Sequence, residues 1–387
     1  MSEEFETKPR ISDWSVWGYL PVLAVLLTVW LHTSVVFAQA PEAPDPVLDS
    51  GHDIFVAGCA SCHGVDGRGA PRSSVAFTTR LPDFTDCSFA TKEPDGDWSA
   101  TIHNGGTARG FSTIMPSFRE ALNDDQIDKV IEYMRGFCTN KAWPQGDLNF
   151  PRALATEKAF PENETVITGA INAQGNPGVG TQAIYERRFG AKNQFELAVP
   201  YNFVHDGAPW QSGFGDLVLG YKRLLFHSMK TGSILSVSGE VTTPTGDREK
   251  GTGNALTVFE SFVSFGQALP RDSFVQVQSG FELPAHTSQA PRAYFARAAL
   301  GQSFSAGGGL GRTWTPMVEL LADRDLVRGA KTNWDVLPQL QIPLSKRQHI
   351  LANVGVRVPF TNTAGRAIQV VFYLLWDYAD GSLKAGW

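Results

Sequence analysis

Ile350-Leu351-Ala352-Asn353-Val354-Gly355-Val356-Arg357-Val358-Pro359-Phe360 changes character at every second residue. In an extended chain successive side chains point to opposite sides. Ile350, Ala352, Val354, Val356, Val358 and Phe360 therefore make one apolar face, and His349, Asn353 and Arg357 fall on the other. The preceding run has the same two sides, with Trp334, Val336, Leu340 and Ile342 opposing Asp335, Gln339 and Gln341. Following the pattern toward the N-terminus and the C-terminus predicts about twelve strands. They are Glu164 to Asn172, Thr181 to Phe189, Asn193 to Phe203, Asp216 to Phe226, Ser233 to Thr243 and Leu256 to Gln267, then Ser273 to Leu283, Arg292 to Phe304, Thr313 to Asp323, Asn333 to Leu344, Gln348 to Phe360 and Arg366 to Tyr378. Gly, Pro, Asn and Asp turns separate them. Strands near ten residues are about twice the usual soluble length. Their even number and alternating faces predict an antiparallel, up-and-down transmembrane barrel over residues 164–387. Trp210, Trp314, Trp334, Trp376 and Tyr378 lie near strand ends, where interfacial girdles form. A charged content of 19% is low for a soluble protein and points the same way. A soluble β-sandwich or propeller is the competing fold.

Upstream of residue 143 the pattern is different. Cys59-Ala60-Ser61-Cys62-His63 has the C-x-x-C-H spacing of covalent haem c attachment. Each thiol adds to one porphyrin vinyl group, and His63 follows at the position of the proximal iron ligand. A zinc site would need a second ligand pair, and a thioredoxin-like pair would need a βαβ setting; neither is present. The second axial ligand is expected to be Met115, in Ile114-Met115-Pro116. Met134 competes, but it belongs to the stripe Ile127, Val130, Ile131, Met134 and Phe137, whose spacing is that of a packed helix face. His52 and His103 are weaker rivals. Asn123 and Gln126 make a capping-box pattern at the start of that helix. With Cys59 and Cys62 taken by haem, Cys87 and Cys138 remain, either as a disulfide suited to an oxidising compartment or as two unrelated buried thiols.

The segment from Asp49 to Cys138 resembles a class I cytochrome c. The resemblance rests on the helix from Ser50 to Ala60 leading into Cys59 and His63, on Pro82-Asp83-Phe84, Asp97-Trp98, Ile102 and Met115-Pro116, and on the terminal helix. It implies a small all-α shell around one haem and an electron carrier, with iron held by His63 and Met115. Residues 164–387 are similar to the outer-membrane channel family associated with the phenol-degradation MetA pathway. Phe195 to Tyr201, Gly213-Phe214-Gly215-Asp216, Leu217 to Tyr221 and Pro244-Thr245-Gly246-Asp247 carry that likeness. The two together are similar in architecture to cytochrome-porin iron oxidases of outer membranes. That architecture implies an electron conduit, with outer-sphere oxidation of an extracellular donor such as ferrous iron. A hundred-residue domain has a radius of gyration of about 13 Å and should not fit inside a twelve-stranded barrel. It is expected at the periplasmic mouth, where an even strand number places both termini.

The expected organisation is a signal peptide or uncleaved anchor over 1–38, a Pro-rich linker over 39–48, the monohaem cytochrome over 49–142, a linker over 143–163 and the barrel over 164–387. The first of these rests on a stretch from Trp14 to Ala40 without charged side chains, ending in candidate cleavage sites at Val36-Phe37-Ala38 and Ala38-Gln39-Ala40. The net charge of −6, of which the expected cytochrome segment 49–142 contributes −4, excludes an electrostatic case for nucleic acid. Expected partners are a periplasmic redox protein such as another cytochrome, outer-membrane lipid, and a small solute or extracellular electron donor. Two other functions fit the same residues: a barrel transporter with a cytochrome as redox or docking module, and a periplasmic electron-transfer protein with a soluble β-domain. No catalytic residue is assigned.

Overall fold

A computed structural model describes residues 48–174, 177–205, 209–307 and 309–387. The expected signal segment and nearly all of the first linker lie outside these residues.

The strands are β1 Glu164–Asn172, β2 Gly178–Phe189, β3 Asn193–Val204, β4 Gln211–Phe214, β5 Val218–Ser228, β6 Ser233–Thr242 and β7 Val258–Leu269, followed by β8 Ser273–Pro284, β9 Ala293–Gln302, β10 Phe304–Ser305, β11 Thr313–Asp325, β12 Asn333–Pro343, β13 Ile350–Pro359 and β14 Gln369–Asp377. Two of them, β4 and β10, are short additions to β3 and β11. The other twelve pair antiparallel with their neighbours in chain order. β14 returns to β1, with Glu164 opposite Asp377 and Asn172 opposite Gln369, so the sheet closes. Closure leaves no unpaired edge, the condition a sheet must meet in a bilayer. The bounds of β1 coincide with the expected run, and every other expected strand overlaps an observed one.

Burial is inverted relative to a soluble sandwich. On β12, Leu340 and Ile342 are exposed while Asp335, Gln339 and Gln341 are buried. On β13, Val354 and Val356 are exposed and Asn353 is buried. Apolar side chains outside and polar ones inside are the arrangement of a membrane barrel with a polar lumen. This burial overturns the soluble β-domain reading of the fold.

Residues 143–163, expected as a linker, do connect the two parts, and they also fill space. Past the short turn Gly146–Leu148, the chain enters the barrel at the end where β1 begins and β14 finishes. Phe150 stacks on Phe274, with ring centroids 5.5 Å apart. The Leu154 N–H donates to Gln339 at 3.0 Å, and the Glu157 N–H donates to Gln278 at 3.0 Å. Gln339 and Gln278 are mid-strand residues, so the segment reaches about halfway through the barrel. Glu319 accepts from Ala155 and Thr156, and Tyr373 donates to the Arg152 carbonyl at 2.8 Å. The chain then turns back to start β1. The lumen is thus plugged through half its depth by the protein's own backbone.

Charges within the plug are paired, as burial requires. Arg152 meets Glu164 at 2.6 Å and Glu186 at 2.9 Å, Lys158 meets Glu162, and Lys222 meets Glu157. Glu157, Glu186 and Glu196 have carboxylate oxygens within 4.8 Å of one another. Arg152 and Lys222 already occupy that cluster, which makes it part of the ion-pair network that holds the plug.

The helical part comprises α1, α2 Cys87–Ala90, α3 Asp95–Asn104 and α4 Asp124–Arg135. α1 covers residues 51–63 and consists of Gly51–Ile54, a π turn Phe55–Cys59 and Ala60–His63. Ile54, Phe55, Ile102, Ile127, Val130, Ile131 and Met134 form its core. α1 and α4 cross at Gly51, where an added Cβ would stand 2.1 Å from the Lys129 carbonyl oxygen. The capping box on α4 is present, with the Asn123 side chain accepting from the Gln126 N–H at 2.9 Å and Gln126 accepting from the Asn123 N–H at 3.0 Å. A disulfide joins Cys87 to Cys138, tying α2 to the chain just past α4.

Candidate haem site and its junction with the barrel

The C-x-x-C-H residues sit where α1 changes winding. Cys59 ends the π turn and is buried, while Cys62 and His63 lie on the last helical turn and are partly exposed. Neither Cys59 nor Cys62 is in a disulfide. Burial pushes the Cys59 thiol up to about 11, helped by the neighbouring Cys62. Burial also holds His63 below its ordinary value, so its imidazole is neutral and has a lone pair to offer. His63 Nδ1 is buried with no hydrogen-bond partner. Buried polar atoms are normally satisfied, and an imidazole left in this state beside two free thiols suits a ligand that takes up ring and thiols together.

Aromatic side chains wall the proximal side. The His63 ring is 5.0 Å from Phe84, Phe84 is 5.4 Å from Trp98, and Phe89 packs on both Phe84 and Trp98. Arg135 lies over Trp98 at 4.0 Å, bonds Asp95 at 2.7 Å and donates to the carbonyls of Ala90 and Glu93. That one side chain fastens α2 and α3 to α4.

Met115 is on a loop that leaves α3 at Gly105 and is closed at its base. The Gly106 N–H donates to the Met115 carbonyl at 3.0 Å, the Ser117 hydroxyl to His103 at 2.6 Å, and the Phe118 N–H to Ile102 at 3.0 Å. Met115 is half-buried and packs against the domain core. Of its rivals, Met134 is buried in that core, His52 is exposed against Asp53, and His103 bonds the adjacent Asn104. Exposed Val65 and Ile114 follow His63 and precede Met115, and they supply apolar surface suited to a porphyrin face. The donor set of two thiols, a neutral imidazole and a thioether therefore fits a covalently bound haem.

The tip of the Met115 loop meets the barrel. Arg109, 3% exposed, bonds Asp97 at 2.8 Å and donates to the Leu310 carbonyl at 3.0 Å. Arg347, in the turn between β12 and β13, donates to the Gly110 carbonyl at 2.9 Å and stacks over Phe111 at 4.3 Å. Gln348 bonds Asp97 at 3.1 Å, and Lys92 pairs with Asp380 at 3.2 Å. The helical part is thus docked at the end of the barrel that the plug enters. Arg109, Arg347 and the plug were not read from the sequence: isolated basic residues and an aperiodic stretch carry no local signal.

The fold and site define a helical domain of cytochrome c type fused to a closed twelve-stranded β-barrel with an apolar outer face. Residues 48–137 match the family model for Cytochrome c, whose members carry covalently attached haem c. No curated protein matches the chain. Among solved structures it is similar to an outer membrane channel from Pseudomonas putida F1, with 11% identity, 58% of this chain and 99% of that one covered, and a TM-score of 0.42. The KdgM porin in complex with disordered oligogalacturonate matches at 7% identity over 55% of this chain and 98% of its own, with a TM-score of 0.38. LpxR from Salmonella typhimurium matches at 8% identity over 55% and 99%, with a TM-score of 0.36.

Proposed function

We propose that this chain is an outer-membrane electron carrier with one haem c, bound through Cys59 and Cys62 and ligated by His63 and Met115. When bound, such a haem would supply a one-electron couple suited to electron transfer. Cys59 and Cys62 would attach the porphyrin, His63 and Met115 would ligate the iron, and Phe84, Phe89 and Trp98 would exclude water from His63.

The observation that carries this reading is the plug beneath the docked cytochrome domain. A lumen filled by hydrogen-bonded backbone is not laid out as an open diffusion pore, so the barrel serves as an anchor and as access from the far side. Most turns on the cytochrome side, 190–192, 229–232, 270–272 and 344–349, are short, with 303–312 the exception, and the loops 243–257 and 360–368 at the opposite end are longer. Outer-membrane barrels keep short turns on the periplasmic side, which supports a periplasmic cytochrome domain. An extracellular donor, with ferrous iron as one candidate, would lose an electron by outer-sphere transfer, and a periplasmic redox protein such as another cytochrome would receive it.

The test is membrane fractionation followed by haem-stained gel electrophoresis with and without boiling. A haem-positive outer-membrane band that migrates faster unboiled is the expected result. A haem-positive band in the soluble or inner-membrane fraction, without a heat shift, would overturn the proposal.

A further inference from the structure

We infer that the barrel rim positions the Met115 loop, with Arg347 as the positioning residue and Gly110 as its point of contact. The inference rests on the assignment of Met115 as an iron ligand. The loop has a stitched base, and within the cytochrome domain its tip is tied to α3 by the Arg109–Asp97 ion pair. Its base is closed by the Gly106–Met115, Ser117–His103 and Phe118–Ile102 hydrogen bonds, and the Phe111 N–H donates to the Gly106 carbonyl at 2.8 Å. Displacement of Phe111 is therefore passed through Gly106 to Met115 by two backbone hydrogen bonds.

Three contacts from the barrel side converge on the tip residues Gly110 and Phe111, and two more hold Arg347 itself in place. Arg347 donates from Nη2 to the Gly110 carbonyl at 2.9 Å and from Nη1 to the Asp380 carbonyl at 3.1 Å, and its guanidinium lies 4.3 Å from the Phe111 ring centroid. Its own backbone N–H donates to Gly386 at 3.2 Å. Gly386 in turn lies against Gly110, where an added Cβ would stand 2.4 Å from the Gly386 Cα. Gly110 has φ of +66°, a conformation that favours glycine, so both space and backbone demand it. A planar guanidinium can donate two hydrogen bonds and stack on an aromatic face at once; an ammonium cannot. The consequence is a Met ligand whose loop is completed only when the cytochrome is docked on its barrel.

The test uses the full-length, haem-loaded protein in detergent and follows the sulfur-to-iron charge-transfer band of the ferric state during denaturant titration, together with the midpoint potential. Wild type shows the band and Met115→Ala loses it. Arg347→Ala and Gly110→Ala keep covalent haem and the heat-shifted gel band, but the fraction lacking the charge-transfer band at a fixed denaturant concentration rises about tenfold, the scale of one charge-assisted hydrogen bond. Their potential falls, and Arg347→Lys recovers only part of the loss. Lys92→Ala, which loosens docking through the turn between α2 and α3 instead of the loop, stays near wild type. Wild-type behaviour of Arg347→Ala and Gly110→Ala, or equal loosening by Lys92→Ala, would overturn the positioning role. Absence of the band in the wild type would instead overturn Met115 ligation, and this inference with it.

Discussion

His63 and Asp147 show how burial gives single residues their roles. His63 keeps a neutral ring with a buried, unpartnered Nδ1 because apolar neighbours exclude water, and that cost is tolerable where a ligand completes the site. His63→Ala is expected to leave covalent attachment at Cys59 and Cys62 and abolish the low-spin redox spectrum; optical spectra of the purified variant decide it, and a retained low-spin spectrum rules out the assignment. Asp147 is the opposite case. Its Oδ1 accepts from the Asp95 N–H at 3.1 Å, its Oδ2 is buried without a partner, and burial with the nearby Asp95 charge raises it from 3.8 to about 6. Between those values the folded protein holds more protons than the unfolded chain, so this group's contribution to stability falls as pH rises through the window. Asp147→Asn should flatten that fall and raise stability at neutral pH by up to about 3 kcal/mol, from a separation of about two pH units. The check is the denaturation midpoint of the cytochrome domain, followed by haem absorbance at several pH values. An unchanged pH profile would exclude it.

Elements differ in how openly the sequence displays them. The strands were legible because period-two alternation persists over whole runs such as 350–360, and because a bilayer outside and a polar lumen inside punish any slip of one residue. The α4 start was legible from Asn123 and Gln126, since a capping box is a local device. The π turn in α1 was not, because no side chain within Phe55–Cys59 announces a change of winding. The disulfide bridges α2 and the end of α4 across a separation of 51 residues. A loop of that size corresponds to about 4 kcal/mol of unfolded-state entropy. Cys87→Ser with Cys138→Ser is therefore expected to lower the domain's unfolding free energy by about 2–4 kcal/mol. Denaturant curves under oxidising and reducing conditions measure it: the variant should match reduced wild type, and no difference between oxidised and reduced wild type would show that the bridge adds nothing.

In the whole molecule the plug joins everything together. It continues directly from the cytochrome domain, meets lumen residues on strands far apart in sequence, and becomes β1. Replacing residues 150–160 with a Gly/Ser spacer of equal length should leave a folded, heat-shifted barrel whose single-channel conductance in planar bilayers exceeds that of wild type severalfold. Equal conductance would mean that the plug is not what closes the lumen.

The sequence by itself determined the haem-binding motif, the number and span of the barrel strands and the division between a helical and a β part, because each is written in local spacing: C-x-x-C-H, a 3.6-residue stripe, a two-residue alternation. It could not display that the stretch past Leu148 lies inside the barrel, since its partners Gln194, Gln278, Glu319 and Gln339 lie up to 185 residues away along the chain. Nor could it pair Arg347 with Gly110, 237 positions apart. Those choices belong to tertiary structure, because only barrel closure creates a polar interior that an aperiodic segment can enter and a rim on which a cytochrome loop can rest.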